Sequence, residues 1–166
     1  MAAQHIVTFS ALPRRLSELQ ALPQAALREP WDTAALFLAA MDVYAEDRNA
    51  ALEMVDFLRG PRPLSPMDKQ FLQDRMRYGA YVPRSFFRGA SPQNNYAPAA
   101  PFTLAFEETP YTWANEGYCQ LWIRSGGADS PRSVQLRRKP STGQWFLWEQ
   151  MLLAQIRVPT AQDPWA

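Results

Sequence analysis

The amino-acid sequence predicts an α+β fold in which N-terminal helices pack on a curved C-terminal antiparallel sheet of about five strands. Three observations predict it. Apolar side chains recur at helical spacing between Pro30 and Gly79. After Pro101 the period becomes two, and turn-forming residues separate the alternating runs at Asn115 to Gly117, Gly126 to Pro131 and Ser141 to Gly143. At 166 residues the chain can bury roughly 70% of the surface its unfolded form exposes, so we read one domain, 1–166, with no internal repeat.

Residues 1–29 read as an arm wrapping the body. Ile6, Val7 and Phe9 suggest a short strand or extended stretch, and Pro13 to Leu22 allow one or two helical turns. Pro13, Pro23 and Pro30 punctuate this region too closely for a long element. Residues 30–79 are helical. Leu36, Phe37, Ala40, Met41 and Tyr44 share one face, and Leu52, Val55 and Leu58 form a second stripe. Asp47 is placed to cap the second helix and Gly60 to end it. A third helix starts at Ser65, with Pro66 at its first position, Asp68 three residues after the cap and Gly79 as terminator. Phe71, Leu72, Met76 and Tyr78 are its expected packing side chains.

Residues 80–101 carry four prolines, Pro101 among them, with an Asn pair and four aromatic rings, which predicts a long ordered loop and not a helix or central strand. Residues 102–158 then read as the sheet, with strands at PFTLAFEE, GYCQLWIRS, RSVQLRRK, QWFLWEQ and LLAQIRVP. In the third of these, strict alternation puts Arg138 on the inner face with Val134 and Leu136, to be met by a carboxylate such as Asp42, Asp56, Glu53 or Asp74. Residues 159–166 form a tail, which Trp165 is expected to dock on the body.

Composition narrows the chemistry. One cysteine, Cys119, and one histidine, His5, supply neither a disulfide nor a zinc set, and with the single histidine near a chain terminus Cys/His catalysis is not expected. We expect no cofactor and no metal. Cys119 reads as a small packed side chain. A net charge of +1 does not by itself call for nucleic acid or membrane. The amino terminus lacks the pattern of a secretory signal, and no apolar run has membrane-spanning length, so the expectation is a soluble cytoplasmic protein.

The strings RSFFRGASPQNNYAP, GGADSPRSVQLRRK, GQWFLWEQMLLAQIRVP and DPWA resemble the hallmark segments of an uncharacterised bacterial domain family, over nearly the whole chain from Trp31 or earlier to Ala166. That resemblance implies no activity. The order of helices followed by a meander is similar to the nuclear-transport-factor-like and steroid-isomerase-like superfamily. It implies a cone-shaped fold and admits isomerases, dehydratases and noncatalytic binding or dimerising domains.

Three candidate surfaces follow. The glycine pair Gly126 and Gly127 lacks the spacing of a phosphate loop and opens no helix, so it reads as a hairpin turn in which both glycines take positive φ. The basic run after it, with Arg137 and Arg138, lies near Trp145 and Trp148, a mixture that holds anions or stacks single-stranded bases. The segment from Arg84 through Phe86, Phe87, Asn94 and Asn95 to Tyr96 reads either as a stiff aromatic binding surface or as a lid with its Phe rings buried. Asp42 and Asp56, beside apolar stripes, are the candidate carboxylates for an isomerase or hydrolase pocket. The leading expectation is a noncatalytic ligand- or protein-binding domain with neither nucleic acid nor membrane as partner and with a homodimer as one form of partner.

Overall fold

A central helix is the organising element of the computed structural model, which describes residues 3–166. Met1 and Ala2, assigned to the arm, lie outside the described residues. The helices are α1 (Leu16–Gln20), α2 (Pro30–Met41), α3 (Arg48–Arg59), α4 (Pro66–Met76) and α5 (Tyr81–Arg84). The strands are β1 (Gln4–Phe9), β2 (Phe102–Glu107), β3 (Tyr118–Ile123), β4 (Arg132–Lys139) and β5 (Gln144–Gln150).

α2 is buried on every side, from Thr33 through Met41. A helix apolar all round belongs inside a core, and AALFLAAM offers eight residues in succession without a polar group. The expectation of a single apolar face is corrected accordingly. α3 is amphipathic, burying Ala51, Met54, Val55 and Leu58, and Asp47 caps it by accepting the Ala50 N–H at 3.1 Å. α4 starts with a capping box in which Ser65 accepts the Asp68 N–H and Asp68 accepts the Ser65 N–H. Of the side chains expected to pack from this region, Leu72 and Met76 are buried, whereas Phe71 and Tyr78 are exposed because α4 lies on the outside with one narrow contact line.

The sheet is antiparallel throughout, in the order β1-β2-β3-β4-β5. α2 packs against both edge strands, β1 and β5, as well as β4, so the sheet curls around this helix. Its inner face supplies Val7, Phe9, Leu104, Phe106, Cys119, Leu121, Ile123, Val134, Leu136 and Leu147 to one buried cluster with α2 and α3.

The fifth strand is not where periodicity puts it. β1 completes the sheet, pairing with β2 from Gln4 opposite Glu107 to Phe9 opposite Phe102. LLAQIRVP runs as irregular chain: Leu152, Leu153 and Ile156 are buried, but the carbonyls of Ala154 and Gln155 accept from the Arg132 guanidinium, and Gln155 takes φ 56°. A side chain replaces a ladder partner there, which ends strand pairing.

The segment 80–101 is also more structured than a loop, containing α5 and a 3-10 turn at Pro92–Asn94. The glycine pair after β3 serves a different purpose from the expected one, since neither residue has positive φ. A Cβ on Gly126 would lie 2.0 Å from the Ala90 carbonyl oxygen, and one on Gly127 2.1 Å from the Tyr96 hydroxyl. Glycine is required for close approach, and the turn docks on the 85–96 segment through Gly126 N–H to Ser85 O (2.8 Å) and Ser125 Oγ to Ser85 Oγ (2.7 Å). Trp165, expected to dock, is 93% exposed; the tail instead makes a local turn with the Trp165 N–H on Asp163.

Candidate functional site: a cationic groove beside Trp148

α3 ends at Gly60, and the chain that follows brings Arg59, Pro61 and Arg62 against the β4–β5 hairpin. Between them lies a groove of about 390 Å³, whose other wall carries Arg137, Arg138, Lys139, Phe146 and Trp148. A shift of register in the hairpin shapes this wall. Leu136 pairs with Leu147 and Gln135 with Glu149, so Trp148 has no partner in the ladder. Bulges of this kind re-aim a side chain, and here the indole stands among guanidinium groups. The Arg62 guanidinium carbon sits 3.9 Å from the Trp148 ring centroid and that of Arg137 4.6 Å, with Arg137 also 5.5 Å from the Tyr118 ring. Arg62 further donates to the Trp148 carbonyl.

The electrostatics are one-sided. Arg59 is paired with Asp68 at 3.1 Å, and burial pulls its pKa down, with Arg62 nearby acting in the same direction. Among the described residues, no carboxylate oxygen comes within ion-pair distance of Arg62, Arg137, Arg138 or Lys139. Guanidinium groups laid over an aromatic ring are held in place while their N–H edges stay available. The arrangement suits carboxylate or phosphate oxygens entering the groove.

Arg138 does not face the core. It pairs with Trp145 near the end of the hairpin and is exposed, as are Arg137 and Lys139, because the inner side of β4 runs beyond the packed cluster after Leu136. None of the carboxylates expected to meet it does so. Trp145 is half-buried against the core, edge-on to Trp113 with centroids 5.8 Å apart, and its N–H donates to the Leu27 carbonyl. It stands apart from the groove. Thus Arg137, Arg138 and Trp148 come together and Trp145 does not join them. Sequence reasoning missed Arg59 and Arg62, although RGPR directly after an apolar helical stripe was a visible signal that cations collect at the helix end.

Of the other candidates, Asp42, Arg84, Asn94, Asn95 and Tyr96 line a separate hollow of about 540 Å³ together with Arg14, and Asp56, Phe86 and Phe87 do not. Asp42 is 3% exposed, and both of its carboxylate oxygens are engaged: Oδ1 accepts Arg84 Nε at 2.6 Å and Oδ2 accepts Arg14 Nη1 at 3.1 Å. The second nitrogen of Arg14 reaches Glu46 at 2.5 Å. Two cations and two carboxylates balance, and the network ties the arm, the end of α2 and α5 together. Asp56 is likewise structural, accepting the Leu64 N–H at 2.8 Å. Phe86 and Phe87 are 3% and 2% exposed, and Tyr96 is fully buried with its hydroxyl donating to the Arg157 carbonyl. These rings close the fold and do not face a partner. Asn94 and Asn95 are exposed, but the Asn94 side chain is used in the turn, accepting the Ser91 N–H and donating to the Gly89 carbonyl.

Cys119 is fully buried, and desolvation, with Glu108 adding to it, pushes its thiol up to about 12. A thiol so rarely ionised is a poor nucleophile. His5 lies flat on Trp31, centroids 3.6 Å apart, and bonds Glu108 at 2.5 Å. Among the described residues, no three His, Cys, Asp or Glu side chains gather as a metal-ligand set, and no helix is long and apolar enough to cross a membrane.

No curated protein and no solved structure matches the chain. One family does, described as a domain of unknown function, DUF6935, and it matches residues 11–160. That span takes in all five helices and β2 to β5, together with every residue lining the cationic groove. The chain therefore belongs to the DUF6935 family of domains of unknown function.

Proposed function

We propose that this protein is a noncatalytic binding domain, and that its groove beside Trp148 receives an anionic group of a partner or ligand. One observation carries the reading. Arg62, Arg137, Arg138 and Lys139 converge with no carboxylate partner among the described residues, whereas Asp42 and Asp56, the carboxylates suited to acid/base work, are held in structural bonds. Like charges brought together without compensation disfavour the empty state, and an incoming anion relieves that repulsion. The guanidiniums over Trp148 occupy ring surface that a nucleic-acid base would need for stacking, which favours recognition of anionic oxygens over recognition of bases. Cytoplasmic placement goes with this reading, since the unpaired thiol of Cys119 suits a reducing compartment.

The test is a calorimetric titration with sodium tripolyphosphate and with poly-L-glutamate at low and high salt. Both probes are expected to bind at low salt and to weaken as salt rises. The double variant Arg137→Ala/Arg138→Ala is expected to lose about tenfold or more in affinity while melting like the parent, because both side chains are exposed. Absence of binding by both probes at low salt, or equal binding by the double variant, refutes the proposal.

A further inference from the structure

The cationic groove does not end at Trp148. Arg59, Arg62, Leu147 and Trp148 also line a second hollow of about 260 Å³, which continues along β5 between α3 and α4. The character changes along this path. At the far end stand Leu64, Phe71 and Met151, with Phe71 43% and Met151 68% exposed. The acids at this end are Asp68 and Glu149, whereas Arg137, Arg138 and Lys139 belong to the other. The trough is thus basic at one end and apolar at the other, where Asp68 is paired with Arg59 and Glu149 has no ion-pair partner among the described residues.

We propose that this trough docks an extended segment of a partner protein that carries acidic side chains followed by a large apolar one. The proposal rests on the anion-binding reading above and adds its occupant. Charge complementarity places the acidic residues against Arg62, Arg137, Arg138 and Lys139, and Glu149 repels them from the opposite end, which sets which end of the segment lies where. The apolar side chain covers Phe71 and Met151. From Phe146 to Met151 the chain advances five residues, at most about 16 Å at the rise of a strand and less with the extra residue at Trp148, so the acidic and apolar groups of an extended occupant stand about four to five residues apart.

Recognition is by side chains and not by addition of a strand. The outer edge of β5 is already used: the Trp145 N–H donates to Leu27, the Trp145 carbonyl accepts from the Thr33 hydroxyl at 2.6 Å, and the Trp148 carbonyl accepts from Arg62. An edge blunted in this way offers no continuous row of donors and acceptors.

Fluorescence anisotropy with three labelled peptides tests this. One has three glutamates, a Ser-Gly-Ser spacer and Leu-Phe; one replaces Leu-Phe by Ser-Ser; one replaces the glutamates by serines. The two-ended peptide is expected to bind about tenfold or more tightly than the acidic one, the gain being the burial of a large apolar side chain. Phe71→Ser/Met151→Ser is expected to remove that gain and leave binding of the acidic peptide unchanged. Phe71→Gln/Met151→Gln serves if the serine variant melts early. Equal binding of the two-ended and acidic peptides overturns the extended occupant and leaves the anion groove standing. So does tripolyphosphate binding without any acidic peptide. A short single-stranded RNA bound more tightly than the two-ended peptide also overturns it. Failure of every anionic probe removes both readings.

Discussion

Gly60 is the residue on which the wall of the cationic groove turns. It takes φ 58° and ψ −117°, and a Cβ there would lie 2.4 Å from a ring carbon of Phe146. Gly60→Ala therefore meets two costs at once, a left-handed backbone for an L side chain and a clash with a groove ring. We expect a loss of about 2–4 kcal/mol, seen as a fall in Tm of roughly 4–16 °C in a thermal scan. An unchanged Tm would mean that Phe146 moves aside freely. At this scale the sequence was legible where one residue type answers one local need. Ser65 with Asp68, Asp47 and the terminator Gly60 all do what their positions suggest. It was misleading where the need is long-range. Gly126 and Gly127 make room for Ala90 and Tyr96, more than thirty residues away in the chain. Arg138 escapes burial because the core stops at Leu136, a boundary that alternation does not record.

The helices were legible as elements, since caps and 3.6-residue spacing are local, yet which helix lies at the centre depends on what packs around it. α2 has its electrostatic liability in its first turn. Asp32 is raised to about 6, first by desolvation and then by Glu29. A carboxylate whose folded pKa exceeds its ordinary value binds its proton more tightly when folded. It therefore weakens the fold as pH rises from about 4 through 6, and no such effect remains below the ordinary value. Asp32→Asn is expected to raise Tm relative to the parent at pH 7 to 8, by an amount that shrinks to nothing as the scans approach pH 4. The favourable placement of an anion at a helix N-terminus reduces the gain. A variant less stable than the parent at pH 7 would show that this helix-end interaction outweighs burial. The other misread element, LLAQIRVP, has the composition of a strand, but Arg132 takes up its Ala154 and Gln155 carbonyls in place of a ladder partner.

For the whole molecule, the decisive contact is between the start of the described chain and the first strand after the helices. β1 pairs with β2 across nearly a hundred residues, and its Val7 and Phe9 are 4% and 2% exposed in the core around α2. Periodicity identified β2 and left β1 as a short strand or extended arm, and pairing over such a separation leaves no local mark, which is why the sheet was given a fifth strand at the wrong end. The same closure makes the arm indispensable. Removal of residues 1–9 would bare the β2 edge, whose N–H and C=O groups from Phe102 to Glu107 would face solvent as a template for association. It would also expose the apolar surface that Val7 and Phe9 cover, at a cost of about 3–6 kcal/mol for the two side chains alone. That is comparable with the whole stability of many domains. The shortened chain is expected to lack a cooperative thermal transition and to elute as aggregates in size-exclusion chromatography. A shortened chain that melts cooperatively within a few degrees of the full one, as a monomer, would show that α2 and the β2–β5 sheet hold together without β1.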